Sequence, residues 1–465
     1  MTDIKIFQGD QIGGCVTVIS AVYKETTHRI MIDYGSSLQG NDEKEDFKYP
    51  WKEEPIEAVF FTHYHGDHIG RLMEIPGEIP IYMGATARKV MINIQEALGS
   101  SKRIADADEH KKEAELLKDA NRVHEFAWNG SCYDAIELPG FRIEPYSVDH
   151  SAYDAYMFMI EADDEEREEG KYRILHTGDF RGHGRRSKAI MPLIESYIHR
   201  FGRRTVDSLV IEGTMMSRSK EEVLSETEMQ MKAAKYLHKH KWAFLICSST
   251  NLDSLASFYQ AAQMANYRYG RYMYVYSEYF EEQLKTFSET AGNFSDIYKF
   301  EKIAQLSNMN NIPPGQRRTP PLTQQEMMEA FGFLAVIKPE DYHEKYIDMF
   351  IEAYKAGRID EMPVLIFSMW NGYVQEYRTD KNGKKIINTA KNESWIRFLK
   401  RQEEKGVHIE YLHTSGHATP KMLAEVINAV DPQDKIYPMH TECAEDFKAL
   451  PIRNELKERL VSMEE

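Results

Sequence analysis

Seven consecutive residues, Thr62-His63-Tyr64-His65-Gly66-Asp67-His68, concentrate the side chains of this sequence best suited to chemistry. Imidazole nitrogen and carboxylate oxygen are the usual non-sulfur ligands of zinc and similar divalent ions. His63 and His65 stand two apart, so at the end of an extended segment their rings can point the same way, while Asp67 and His68 follow beyond the flexible Gly66. One turn can thus serve two metal ions. A polar loop that happens to be rich in histidine is the competing explanation, and four ligand-type side chains between His63 and His68 weigh against it.

The same pattern returns later in the chain. His150 follows the alternating run 141–148, and Asp179 follows the run 172–176 after Thr177-Gly178. Each taken alone is more simply structural. Repetition at separate strand ends changes this, because such ends can build one rim of one sheet sandwich and so assemble a two-ion site from distant sequence. Further strand ends deliver Glu212, the loop His413-Thr414-Ser415-Gly416-His417-Ala418, and His440. Asp33 closes another predicted strand; it could orient a metal-bound histidine, although an Asp before Tyr34-Gly35 also suits a turn. His417 taken alone could equally be a loop residue capping the helix expected from about 420.

The elements that must position these residues are legible as patterns. Runs at 4–7, 15–19 and 28–33 predict an antiparallel sheet, and the apolar run 58–61 a buried strand immediately before the histidine cluster. Residues 84–99 and 101–124 predict helices, the second charged and solvent-facing. An acidic hairpin-like stretch occupies 163–170. From 206 to about 370 the texture changes: strands at 207–211, 243–247 and 363–368 alternate with helical stretches such as 221–239, which predicts a parallel α/β domain. The Pro- and Arg-containing segment 312–322 reads as a loop or lid. The expected division is 1–205, 206–370 and 371–465.

Composition sets the limits. The chain has 465 residues, 42% hydrophobic and 28% charged, enough for two or three domains with sizeable cores. No apolar run reaches membrane-helix length and no secretory signal is visible, so a cytoplasmic location without membrane association is expected. Cys15, Cys132, Cys247 and Cys443 show no CxxC spacing, which argues against both a disulfide framework and a thiolate zinc site. The net charge of -16 counts against a polyanionic partner. Locally the balance reverses: Arg181, Arg185, Arg186, Lys188, Arg200, Arg203 and Arg204 stand against the single acid Glu195, a candidate basic rim or simply a solvated surface.

The pattern His63-x-His65-x-Asp67-His68, with His150 and Asp179 after later strands, resembles the metallo-β-lactamase fold superfamily. Adding the inserted stretch 206–370, Glu212, Ser415-Gly416-His417-Ala418 and Tyr437-Pro438-Met439-His440, the chain is similar over nearly its whole length to the β-CASP nucleases, above all to their ribonuclease J branch. The resemblance implies an α/β fold: an αββα metallo-β-lactamase sandwich built from 1–205 and 371–465, with an inserted α/β β-CASP domain over 206–370 as the second wall of a cleft. It implies two Zn2+ per chain, with Mn2+ as the alternative. His63, His65 and His150 would hold one ion and Asp67, His68 and His440 the other, with Asp179 bridging. Two such ions about 3.5–4 Å apart lower the pKa of water and neutralise charge growing on a phosphoryl oxygen. Asp67, Asp179, Glu212 and His417 are then the catalytic group, His417 as general acid oriented by Glu212. His413, Thr414, Ser415 and Gly416 would grip a substrate phosphate.

The implied activity is hydrolysis of phosphodiester bonds in single-stranded RNA, 5'-to-3' from a 5'-monophosphate with some internal cleavage. RNA is the implied partner. Ribonuclease J proteins carry a further C-terminal assembly domain, whereas this sequence runs 25 residues past His440, so the oligomeric state stays open with a homodimer as one candidate. Three alternatives remain. A small ester, thioester or lactam could be hydrolysed by the same core motif, although a long insertion favours a polymer. DNA is a further substrate class, against which His440 speaks, since DNA-processing relatives usually lack that histidine. A catalytically silent RNA-binding subunit would show substituted ligands, and none of the seven is substituted.

Overall fold

In the alternating N-terminal segment, β-branched residues form three antiparallel strands, β1 (Asp3–Phe7), β2 (Val16–Tyr23) and β3 (Thr26–Ile32). The β2–β3 hairpin turns on Lys24 and Glu25, both at positive φ, as a two-residue turn matched to strand twist requires. Three short strands then add in parallel: β4 (Ala58–Phe60), β5 (Ile81–Met83) and β6 (Val123–Glu125). A second sheet holds β7 (Ile136–Leu138), β8 (Phe141–Val148), β9 (Ala155–Asp163) and β10 (Lys171–His176), all antiparallel, followed by the parallel strands β11 (Ser208–Glu212) and, from late in the chain, β20 (Lys435–Met439). This computed structural model describes residues 2–37, 47–101, 105–218, 221–306, 309–311, 320–379, 385–388 and 390–462.

The two sheets pack face to face. Ile19, Ile30, Ile32 and Phe60 of the first meet Ile143, Phe158, Ile160 and Ile174 of the second in one buried cluster. The alternate residues of the second sheet, among them Met157, Leu175 and Ile211, are buried against Leu423, Val426 and Ile427 of the helix Pro420–Val430. On the first sheet the outward residues Met31, Val59 and Ile81 are buried too, and the helix Ala85–Ser100 buries Val90 and Met91. The result is a sheet sandwich with helices on the outside.

Residues 224–415 form a second compact unit, inserted between 1–223 and 416–465. Its sheet is entirely parallel, in the order β14 (Ile303–Gln305), β13 (Met273–Tyr276), β15 (Phe333–Ile337), β12 (Trp242–Cys247), β16 (Val364–Ser368) and β19 (Ile409–Tyr411). Burial on both faces explains the unbroken apolar runs of β12, β15 and β16. A two-stranded hairpin, β17 (Tyr377–Thr379) with β18 (Lys385–Ile387), lies in the same unit.

Three expectations need correction. The compact division falls at 223/224 and 415/416 instead of 205/206 and 370/371, because β11 pairs with β10 inside the first unit and β19 pairs with β16 inside the second. The helix expected over 101–124 is Ala107–Lys118, and residues 123–125 continue the first sheet as β6. The helix expected from 221 begins at Glu226, where Ser225 and Glu228 form a reciprocal capping box. The loop or lid at 312–322 lies outside the described residues except for 320–322. No helix among the described residues is long and apolar enough to cross a membrane.

The histidine cluster is positioned by backbone contact. Tyr34 N–H donates to His68 O at 2.8 Å and Gly14 N–H to Asp67 O at 3.1 Å. Gly35 permits this approach, since a Cβ there would lie 1.7 Å from Asp67 O. Gly66 does not act as the expected flexible link: it opens the short helix Gly66–Ile69, and a Cβ on it would meet nothing within 4 Å. Gly35→Ala is therefore expected to lower unfolding free energy by about 3 kcal/mol, the upper range for overpacking. Gly66→Ala should leave it within about 0.5 kcal/mol. Urea unfolding of the two variants checks the contrast.

Candidate metal centre

The candidate ligands follow strands, and His68, His150 and His440 are each held from behind by a second partner. Asp33, after β3, adopts a left-handed φ of 60°, a strained conformation for a non-glycine residue. Its carboxylate accepts from Thr62 N–H and Thr62 Oγ1, both at 2.8 Å, and from His68 Nδ1 at 2.8 Å. Of the two roles left open for Asp33, orientation of a histidine is the one it performs. His440 also has positive φ, at 54°, and its Nδ1 lies 2.8 Å from Thr214 Oγ1. His150 Nδ1 donates to Gly416 O at 2.6 Å. These contacts fix which ring nitrogen faces inward.

All seven sequence-predicted ligands converge. His63 Nε2 lies 3.1 Å from His65 Nδ1, which lies 3.3 Å from His150 Nε2. His440 Nε2 is 3.2 Å from Asp67 Oδ2. Asp179 Oδ2 is 3.1 Å from His68 Nε2 and 4.0 Å from His63 Nε2. The donor atoms group as His63, His65 and His150; as Asp67, His68 and His440; and as His63, His68 and Asp179, each set within 4.8 Å of one another. Asp179 thus touches the neighbourhoods of both other sets.

Protonation makes the cluster chemically specific. Burial, reinforced by neighbouring imidazoles, holds His63 and His150 well below the usual histidine range, and it brings His65 to about 4. Those rings are neutral, with lone pairs to offer. Burial also pulls on His68 and His440, but Asp179, Asp33 and Asp67 outweigh it and raise both. For Asp67 and Asp179 burial acts upward, and the surrounding histidines reverse it so that both carboxyls stay ionised. Asp179 Oδ1 is buried without a hydrogen-bond partner. Crowded neutral imidazole nitrogens, two ionised carboxylates and an orphaned buried oxygen together fit divalent cations.

The proposed reaction residues adjoin this cluster. His417 Nδ1 lies 3.4 Å from Asp179 Oδ2 and 3.7 Å from Glu212 Oε1. Glu212 is fully buried and fixed: Oε2 accepts from Thr214 N–H and Oε1 from Ala418 N–H, both at 2.9 Å. The candidate phosphate residues divide. Thr414 is committed, its hydroxyl donating to Leu224 O. Gly416 supplies its carbonyl to His150, and a Cβ there would lie 2.4 Å from Ser151 Oγ. His413 and Ser415 belong to the second unit, with Thr414. The helix after this loop is capped by Thr419, whose hydroxyl accepts from Met422 N–H at 3.3 Å, so capping is not the work of His417 or of the loop hydroxyls before it.

Sequence patterns missed Thr62 and Thr214, whose hydroxyls sit beside His63 and His440. The adjacency of Thr62 to the cluster was its only signal; Thr214 had its nearness to Glu212. The basic stretch is also corrected. Arg181 is fully buried with Nε 3.0 Å from Asp149 Oδ1, and Arg200 and Arg204 both bind Glu144. Arg181 and Arg204 are thus buried structural residues, while Lys188 and Arg203 of the same stretch are exposed.

Residues 28–242 match the family described as a beta-lactamase superfamily domain. The chain contains a metallo-beta-lactamase fold domain. No curated protein matches the sequence. Among solved structures, a protein of unknown function from Enterococcus faecalis V583 is similar with TM-score 0.60 and 16% identity, over 96% of this chain and 95% of that one. At that identity the similarity concerns the fold, which extends over both units. MEM-A1, a subclass B3 metallo-beta-lactamase from a soil metagenome library, matches 45% of this chain and 75% of its own at 12% identity and TM-score 0.28. A beta-lactamase from Chitinophaga pinensis matches 37% and 62% at 15% identity and TM-score 0.22. The domain and its ligand groupings make a metal-dependent hydrolase the plausible class.

Elemental analysis of purified protein is expected to find about two divalent ions per chain, falling to one in His440→Ala. Asp33→Asn should weaken metal affinity about 10- to 100-fold, the usual effect of removing a carboxylate behind a ligating histidine. Chelator competition measures it, and unchanged affinity would remove the orienting role from Asp33.

Proposed function

We propose that this protein is a metal-dependent ribonuclease that hydrolyses phosphodiester bonds of single-stranded RNA, acting 5'-to-3' from a 5'-monophosphate with some internal cleavage. The observation that carries this reading is the triad Asp179, Glu212 and His417 beside the seven ligands. In this reading residues 224–415 correspond to the inserted domain of the β-CASP nucleases.

His63, His65 and His150 would hold one divalent cation and Asp67, His68 and His440 a second, with Asp179 between them. When bound, two such ions, zinc or manganese, supply Lewis-acid stabilisation and a water of lowered pKa. The remaining task is to protonate the leaving oxygen, and His417 is built for it. Its side chain is 20% exposed, whereas the Asp179 and Glu212 side chains are almost wholly enclosed, so the ring alone reaches outward from the triad. With Nδ1 facing the two carboxylates, Nε2 delivers the proton. Glu212 acts by position: the hydrogen bond it accepts from Ala418 N–H fixes the backbone next to His417. Gly416, contiguous with His417, is the first-unit member of the proposed grip for a terminal phosphate. Thr414 drops out of it because its hydroxyl is engaged elsewhere.

Hydrolysis of a small ester, thioester or lactam is the second reading, favoured by the family match alone. Purified protein with zinc or manganese, offered 5'-labelled RNA, matched DNA and a lactam or ester, separates the substrate classes by its products. RNA cleavage is expected, and turnover of the lactam or ester alone would replace the ribonuclease reading. His417→Ala should keep both metals and lower the cleavage rate about 10²-fold or more, the scale of a lost general acid. Identical RNAs with 5'-monophosphate, 5'-triphosphate and 5'-hydroxyl ends should be cut fastest with the monophosphate; equal initial rates would remove the terminal grip and leave His417 untouched.

A further inference from the structure

Three chain segments that enter neighbouring strands of the second unit meet at the N-terminal edge of its sheet. β12, β15 and β13 are adjacent there, with Trp242 opposite Phe333 and Phe333 opposite Met273. The segments that lead into them are 236–241, 331–332 and 266–272. Contacts tie these together: Tyr269 OH, at the end of the helix Leu252–Tyr269, donates to His238 O at 2.9 Å, and Lys241 Nζ donates to Ala330 O at 2.9 Å. Gly332, at φ 79°, permits the close approach, since a Cβ there would lie 2.5 Å from Lys241 Cγ and 3.2 Å from Tyr272 Cδ2.

The three segments carry cations and aromatic rings and contain no acid. Lys241 is engaged with a helix-end carbonyl, a common use for a cation. Lys239, Arg268 and Arg271 are exposed, and among the described residues no carboxylate lies within ion-pair distance of them. The acids of this edge are committed elsewhere: Glu361, before β16 on the other side of β12, accepts from Lys241 N–H at 2.5 Å and faces His240 at 3.6 Å, while Glu329 pairs with Arg358 at 3.1 Å. The arginines stand against rings, Arg271 Cζ 5.5 Å from the centre of Phe331 and Arg268 Cζ 5.6 Å from that of Tyr269. Tyr267, next to Arg268, is 92% exposed, the most exposed large hydrophobic side chain among the described residues. A ring so placed contributes little burial to the fold. In a chain of net charge -16, an acid-free patch with unpaired guanidinium groups is where a polyanion can approach. Rings interleaved with cations suit a single strand, with bases on the rings and phosphates on the cations, whereas a duplex keeps its base faces stacked inside.

We propose that the N-terminal edge of the second unit's sheet is a docking surface for single-stranded RNA, in which the Tyr267 ring stacks on an unpaired base and Arg268 and Arg271 contact the flanking phosphates. The choice of RNA as the polymer rests on the ribonuclease reading; the geometry uses second-unit residues alone.

Fluorescence anisotropy of a labelled single-stranded RNA with a 5'-hydroxyl end, titrated with the full, metal-loaded chain carrying His417→Ala to slow cleavage, tests this. Tyr267→Ala is expected to weaken binding about fivefold or more, the scale of one lost base stack, and Tyr267→Phe to keep it within about twofold. A duplex of the same sequence should bind Tyr267→Ala as it binds the parent chain. Arg268→Gln combined with Arg271→Gln should reduce the slope of log affinity against log salt by about 1.4, the share of two phosphate contacts on a single strand. All three side chains are exposed, so these variants keep the fold, which circular dichroism checks. Absence of saturable binding, unchanged affinity in Tyr267→Ala, an equal loss on the duplex, or an unchanged salt slope in the double variant would overturn the proposal. Cleavage of 5'-monophosphate RNA, measured separately with His417 intact, keeps the two readings apart. Cleavage with unchanged binding in Tyr267→Ala removes this surface alone, and weakened binding in that variant without cleavage by the parent chain removes the ribonuclease reading alone.

Discussion

Asp179 is the constraint on which the first unit depends. It is an ionised carboxylate with almost no exposure, one oxygen against His68 and the other without a partner. Burying such a charge costs several kcal/mol unless it is compensated. The fold compensates by bringing together side chains from widely separated segments, among them His63, His68, His417 and His440. Sheet architecture follows from the same demand. β4, β8, β10, β11 and β20 each end beside a candidate ligand or reaction residue, so correct pairing of the two sheets and assembly of the centre are one event.

Close backbone approach makes this possible. Gly178, at φ 55°, precedes Asp179 and would carry a Cβ 2.7 Å from Tyr156 O and 2.9 Å from Thr62 Cβ, so a side chain there would separate the β4 end from the β10 end. Its N–H donates to His176 Nδ1 at 3.2 Å, and His176 Nε2 lies 3.1 Å from Thr17 Oγ1. Burial brings that histidine to about 4, which suits a neutral ring acting as a fixed strut beneath the centre. Gly35 and Gly416 serve the other approaches. The precision of the ligand positions therefore derives from glycine contacts and buried hydrogen bonds, and rigid strands carry it across the sandwich.

The ligands were legible in the sequence because their chemistry is rare at that density: His63, His65, Asp67 and His68 advertise themselves, and His150, Asp179 and His440 each follow an apolar strand. Thr62 and Thr214 were not legible, since a hydroxyl that orients a histidine has no pattern of its own. Arg181 and Arg204 misled for a related reason. Charge read along a chain is blind to partners such as Asp149, 32 residues before Arg181, or Glu144, 60 before Arg204. Unit boundaries failed through parallel pairing. β11 looks like the first strand of an α/β repeat, and only its neighbours β10 and β20, from opposite ends of the first unit, assign it to the sandwich.

The two units solve the burial of polar groups differently. In the sandwich, hydrogen bonds hold ligands from behind, as with Asp33 behind His68, Gly416 O behind His150 and Thr214 behind His440, which leaves their other ring nitrogens for a cation. In the parallel unit the strand interiors are wholly apolar, and polar residues gather at the strand ends, where helix N-termini also collect. The first arrangement leaves excess lone pairs and negative charge. That excess is the electrostatic complement of a divalent cation.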